Sequence, residues 1–279
     1  ATPLHALHKL HQAGQSIWLD SIDRTLVLSG ELAARIKADA LTGMTSNPTI
    51  FEKALAHGTA YDAQLAMLSA DRTLWAIFEA VETDDVRAAC DVFRPTYDAA
   101  KGTDGFVSIE VSPGAAHDPD GTVMEARRLW ATVDRPNVMI KVPGTPAGCV
   151  ALRRLVAAGL NVNVTLLFSC AAYADVIDAY LAGLEDRAHA GLPLAAVASV
   201  ASFFVSRVDS EVDKRLDAIG TPDALARRGK AAVANARLAY ALFRERFRGP
   251  RWEALAAKGA QVQRPLWAST GTKNPAYSD

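Results

Sequence analysis

Lys141 interrupts an otherwise apolar run, Val138-Met139-Ile140-Lys141-Val142-Pro143, which closes at Gly144. A β-rich apolar run of this length reads as a strand buried on both faces, and lysine is almost never fully buried without a partner. An ordinary lysine amine, with a pKa of about 10.4, is almost wholly protonated at neutral pH. Desolvation favours the free amine, which attacks carbonyl carbon to form a Schiff base. The same residue has a plainer reading, as a lysine at a strand end that snorkels to solvent or pairs with a carboxylate. Both readings stay open on this strand alone.

Other apolar runs also end in, or enclose, polar side chains. Asp20 stands where Ile17-Trp18-Leu19 stops, and Thr45-Ser46-Asn47 precedes Pro48. Glu110 lies between Ile109 and Val111, and in Val162-Asn163-Val164-Thr165-Leu166 the two polar residues share one face. A further run leads from Ser202 through Phe204 to Arg207. Each has a structural explanation: a cap for Asp20, an Asx turn for Asn47-Pro48, ordinary sheet residues for the hydroxyls. Taken together, one amine, two carboxylates, two amides and several hydroxyls suit Schiff-base aldol chemistry. His5, His8 and His11 recur at every third residue but read as a solvated helical stripe, and no His-Glu-x-x-His, Walker-type loop or serine elbow is present.

The elements that must carry these groups alternate. Strand-like runs fall at residues 16–21, 43–47, 106–111, 138–142, 162–168, 198–205 and 265–270. Amphipathic helical stretches lie at 31–40, 84–100, 123–133, 147–158, 171–190 and 209–219, the last with Asp209, Glu211 and Asp213 expected on a solvated face. Such alternation means parallel strands joined by right-handed crossovers. The polar groups at successive strand ends favour a barrel whose chemistry sits at that end, and no Gly-x-Gly-x-x-Gly follows the first strand. A closed barrel needs one strand and helix more than the seven read here. The expectation is therefore a single α/β barrel domain over residues 1–279, C-terminally truncated.

With 279 residues, half of them hydrophobic, and a formal charge of −1, the chain has ample core and no global field for nucleic acid or an anionic membrane. Three cysteines without metal-ligand spacing fit a reducing compartment. No run is long and apolar enough for a membrane span, so the cytoplasm is expected.

The motifs carry a family likeness. Leu41-Thr42-Gly43-Met44-Thr45-Ser46-Asn47-Pro48-Thr49-Ile50-Phe51 resembles the second-strand signature of transaldolases, and Val138–Pro143 resembles the strand bearing their Schiff-base lysine. Trp18-Leu19-Asp20, 161–168, 201–207 and Trp267-Ala268-Ser269-Thr270 extend the resemblance over nearly the whole chain. It implies an (α/β)8 TIM barrel, here without its last strand and helix. The implied activity, within the pentose phosphate pathway, moves a dihydroxyacetone unit between sugar phosphates without metal or cofactor. Position by position, Lys141 resembles the imine-forming lysine and Asp20 the acid/base on the donor hydroxyl. Glu110 and Thr165 resemble the pair that holds a catalytic water. Asn47 and Asn163 resemble the amides that bind the dihydroxyacetone hydroxyls, with Ser202 and Phe204 lining the pocket and Arg207 as principal phosphate ligand. A second arginine of the family is replaced by the stretch from Ser269 to Lys273, with Lys273 its expected substitute. Some members are fused to a phosphoglucose isomerase domain, so a fused or associated isomerase is an expected partner. The competing readings are a fructose-6-phosphate aldolase, disfavoured by Glu110 and Phe204 where those enzymes carry Gln and Tyr, and a catalytically silent barrel scaffold.

Overall fold

The computed structural model describes residues 5–68 and 70–277, and the chain divides into two compact units. The first comprises Ala1–Pro113 and Met124–Lys141, the second Gly114–Val123 and Val142–Asp279. In chain order the first unit contains α1 (Ala6–Gln12), β1 (Ile17–Asp20), α2 (Arg24–Leu28), α3 (Glu31–Ala38), β2 (Leu41–Thr45), α4 (Pro48–Ala56), α5 (Asp62–Met67), α6 (Leu74–Ala99) and β3 (Phe106–Glu110). The boundary then runs through α7 (Pro119–Val133) and β4 (Val138–Pro143). The second unit continues with α8 (Pro146–Ala157), β5 (Val162–Leu167), α9 (Cys170–His189), β6 (Ser199–Phe204), α10 (Ser206–Ile219), α11 (Pro222–Leu225), α12 (Ala231–Arg246), α13 (Pro250–Ala256) and β7 (Gln263–Ala268).

All paired strands are parallel and neighbours follow sequence order: β1 to β2, β3 and β4 in the first unit, β5 to β6 and β7 in the second. Sequential parallel strands with helical crossovers define an α/β fold of the TIM-barrel kind. Seven strands are present among the described residues, and the eighth strand–helix repeat of that architecture is not among them. The strands are built from residues that disappear from solvent: β2, β4 and β6 are buried at every position. In the first unit Met44, Phe106, Ile109 and Met139 join Phe51, Phe93 and Leu129 in the core. In the second, Val164, Phe203, Leu152, Tyr173, Ile177 and Tyr180 are all buried, with the Tyr173 and Phe203 ring centroids 5.9 Å apart. Gly43 is required for packing, because a Cβ there would sit 2.5 Å from the Trp18 indole.

Short polar residues at strand ends start the helices. Asn47 caps α4 by accepting from Ile50 N–H at 3.0 Å, Thr145 caps α8 through Gly148 N–H at 3.0 Å, and Ser169 caps α9 through Ala172 N–H at 3.2 Å. Pro48 and Pro146 occupy the first helical position, where no donor is lost.

Most expected elements lie within a few residues of their sequence positions, with two departures. The helix expected from residue 84 begins at Leu74, capped by Thr73. Its mid-helix acids are neutralised from outside, Glu79 by Arg128 at 2.8 Å and Asp85 by Arg24 at 2.7 Å, so they mark no helix start. Helix α12, whose buried stripe is only Ala232 and Ala239, gives too weak an apolar period to be read in advance. The face of α10 is also less solvated than its charges suggest. Asp209 accepts from Ala232 N–H, and Asp213 from Gly229 N–H and from the Tyr277 hydroxyl. Among the described residues no helix is long and apolar enough to cross a membrane.

Candidate active site

In the first unit, β3 and β4 run in register so that Glu110 lies directly beside Lys141. Lys141 is 7% exposed, and its Nζ lies 3.5 Å from Glu110 Oε2. The same amine donates to the Ser46 carbonyl at 3.2 Å and to Thr45 Oγ1 at 3.4 Å. The lysine is thus both buried and paired with a carboxylate, as the plainer reading of this residue expects. The Ser46 hydroxyl donates to the Ser108 carbonyl at 2.7 Å, which pins the end of β2 against β3 and fixes the carbonyl that the amine uses.

Burial pushes the Glu110 carboxyl above the usual glutamate range. The Lys141 ammonium pulls it back, and the charge of Asp20 adds a further upward push. Asp20 pairs in register with Thr45, which links the carboxylate at the end of β1 to a partner of the amine. It is solvent-exposed at the strand terminus. An amine, a desolvated carboxyl and a second carboxylate in electrostatic reach are groups of the kind that can act as nucleophile and proton carriers. Asn47 is half-buried, and its side-chain oxygen is spent on the α4 cap. Asn47 is thus a helix cap where an Asx turn was expected, and the cap expected of Asp20 is supplied by Asp23, whose side chain accepts from Leu26 N–H.

An acid that the sequence gave no reason to single out lies behind this group. Glu82, in the middle of α6, is 2% exposed, and its Oε1 has no hydrogen-bond partner. Burial, reinforced by the charges of Glu79, Glu110, Glu125 and Asp85, pushes its carboxyl well above the normal range. Glu125 itself is held by Ser112, whose N–H and hydroxyl donate at 2.7 and 2.8 Å.

In the second unit, the Ser202 hydroxyl donates to Asn163 Oδ1 at 2.7 Å, and both residues are buried. This orients the amide so that its oxygen faces Ser202. Thr165 is also buried, and its carbonyl accepts from Gly144 N–H at 2.8 Å. A Cβ on Gly144 would approach Leu167 Cδ2 to 2.4 Å, so this close approach requires glycine. Phe204 stacks on Phe168 with ring centroids 5.0 Å apart and planes 28° from parallel. The Arg207 guanidinium carbon lies 4.8 Å from the Phe204 centroid. Arg207 is exposed in the first turn of α10, where the positive end of the helix reinforces its charge. Ser269 leaves β7 with φ +53, and its hydroxyl lies 2.9 Å from that of Ser206. Lys273 is exposed in the segment beyond β7.

The first unit thus brings together Lys141, Glu110 and Asp20, and the second joins Asn163 to Ser202 and Phe204 to Arg207. Thr45, Ser46, Glu82 and Phe168 are additions. Thr45 and Ser46 were visible as a hydroxyl cluster before Pro48, whereas nothing in the sequence around Phe168 distinguishes it from core. His5 and His11 are exposed, His8 is half-buried with Nε2 2.9 Å from the Ala38 carbonyl oxygen, and among the described residues no group of three or more His, Cys, Asp or Glu is placed to hold a metal ion.

The fold is of the parallel α/β, TIM-barrel kind, with a buried, carboxylate-paired lysine within β4. Residues 17–279 match the model of the transaldolase/fructose-6-phosphate aldolase family. Over 276 residues the chain is 55% identical to "Transaldolase 1" of Streptomyces avermitilis, covering 98% of this chain and 72% of that protein. It is 54% identical over 276 residues to a transaldolase of Mycobacterium ulcerans, and 53% over 275 to one of Mycobacterium leprae. Those alignments also cover 98% of this chain, and 74% and 73% of the relatives. The chain belongs to the transaldolase/fructose-6-phosphate aldolase family.

Proposed function

We propose that the chain is a transaldolase, moving a dihydroxyacetone unit from a ketose phosphate to an aldose phosphate through an imine on Lys141. The observation that carries the mechanism is the Lys141 amine, buried and 3.5 Å from a carboxyl whose proton affinity burial has raised. Attack of the free amine on the donor ketone gives a carbinolamine. Loss of water, with a proton supplied to the leaving hydroxyl, gives the imine. Glu110, desolvated and adjacent, is the carrier for that proton. Asp20 then accepts the proton of the donor hydroxyl as the neighbouring C–C bond breaks. The bond's electron pair moves into the protonated imine, leaving an enamine on Lys141 and a free aldehyde. Attack of the enamine on the acceptor aldehyde, followed by hydrolysis, completes the transfer.

The remaining roles are assigned by residue type. Asn47, Asn163 and Ser202 hold hydroxyls of the three-carbon unit without adding charge, and Thr165, like Glu110, orients water. Arg207 takes the phosphate with planar, two-pronged contacts, Ser269 and Lys273 supplement it, and Phe204 supplies an apolar wall. Transfer is preferred to simple aldol release because Glu110 supplies a titrating group and Phe204 offers no hydroxyl to hold a hydrolytic water. We place the activity in the cytoplasm, in keeping with three free cysteines. The near-neutral chain is suited to small sugar phosphates rather than to nucleic acid.

The test is fructose 6-phosphate with and without erythrose 4-phosphate. Sedoheptulose 7-phosphate formed only with the acceptor supports transfer. Glyceraldehyde 3-phosphate released at full rate without acceptor would make the chain an aldolase, and neither product would make it a scaffold.

A further inference from the structure

We propose that Phe168 is a positioning residue for Arg207, acting through the ring of Phe204; this rests on the reading of Arg207 as the phosphate ligand. Phe168 follows β5, whose register against β6 shifts between Val164 and Leu167. Within that irregularity Leu166 takes φ +62, a left-handed conformation uncommon for a residue with a side chain. The chain leaves the bulge with its backbone fastened twice. The Phe168 carbonyl accepts from Asn235 Nδ2 at 2.8 Å, and the next residue, Ser169, caps α9. Phe168 is 40% exposed, so its ring contributes less to the core than a buried phenylalanine would.

What the ring does make is the offset stack on Phe204, at 5.0 Å. Phe204 in turn carries the Arg207 guanidinium at 4.8 Å. An exposed arginine otherwise has many rotamers to lose on binding an anion. An aromatic face that attracts the cation narrows that distribution before the ligand arrives. Phe204 does this only while its own plane is fixed, and Phe168 is the ring stacked against it. The bulge, the Asn235 bond and the helix cap therefore form one device that sets the plane of a phenyl ring beneath a phosphate-binding charge.

The test compares Phe168→Leu, Phe168→Met and Phe168→Tyr with fructose 6-phosphate and with unphosphorylated fructose as donor. Loss of the stack is expected to raise KM for the phosphorylated donor roughly three- to tenfold, with kcat and the unphosphorylated donor little changed. Phe168→Tyr, which keeps the ring, should behave as wild type. In an Arg207→Ala background Phe168→Leu should have no further effect on KM. Equal rises for both donors, or an undiminished effect without Arg207, would show that Phe168 is merely structural. If Arg207→Ala is selective for the phosphorylated donor and both Phe168→Leu and Phe168→Met are not, this proposal falls and the phosphate reading stands. If Arg207→Ala is itself unselective, the phosphate reading fails and takes the proposal with it.

Discussion

Replacing Lys141 by methionine removes the charge and keeps most of the side-chain volume, and its consequence for stability is set by Glu110. At 3.5 Å the pair attracts by roughly 5 kcal/mol for an effective dielectric constant of about 20. Desolvation of both ions offsets much of this, but deleting one partner of a buried pair still costs about 3–5 kcal/mol when the other stays charged. Glu110 has an escape, because it can take up a proton. Burial is already the largest influence on it, and Lys141 is what holds its pKa down. A carboxyl whose folded pKa is raised leaves folding unaffected below its unfolded value of about 4.3. Above that, folding becomes less favourable by about 1.4 kcal/mol per pH unit until the folded pKa is passed. Lys141→Met raises that upper limit. The variant should therefore match the wild type near about pH 4.5 and fall behind it by roughly 2–4 kcal/mol near about pH 8. Urea midpoints across that range measure the gap, and Lys141→Met/Glu110→Gln should close it. A deficit independent of pH, or one that persists in the double variant, would refute the claim that the two residues form one electrostatic unit.

Four further outcomes follow from the same geometry. Borohydride reduction in the presence of fructose 6-phosphate should add a three-carbon unit to the peptide containing Lys141, and stable labelling of a different lysine would overturn the assignment. Glu110→Gln should lower kcat by about 10²–10⁴-fold if the carboxyl relays protons, with substrate binding little altered; an unchanged transfer rate would leave Glu110 as an ion-pair residue only. Arg207→Ala should raise KM for phosphorylated donors well above its effect on fructose, and Lys273→Ala should do the same more weakly. Glu82→Gln should equal the wild type near about pH 4.5 and exceed it in stability at higher pH, because a buried acid with a raised pKa loses stability as the medium draws off its proton; thermal midpoints that move in parallel with pH for both proteins would contradict this.

The buried lysine and the strands around it were legible because each left a local mark. A charged residue in an apolar run, hydroxyls before a proline and a strict alternation of element types all follow from rules that act over a few residues. The pairing of Lys141 with Glu110 was not legible. It depends on the register of two parallel strands separated by the whole of α7, and no period in either strand fixes that register. From the strand alone, removing Lys141 leaves no unpaired charge behind; the structure puts Glu110 there and reverses that conclusion.

Asn47 shows the opposite difficulty. Asn before Pro reads locally as an Asx turn, and the structure makes it the cap of α4 with the same side-chain oxygen that the expected binding role would use. The cap consumes Oδ1 and leaves the NH2 group, so the residue can serve as a donor to a ligand hydroxyl but not through that oxygen as an equal acceptor. Asn163 is constrained in the same sense from another direction, because Ser202 donates to its oxygen. Each amide therefore has its oxygen engaged by a protein donor, and neither oxygen accepts from a ligand hydroxyl without sharing that bond.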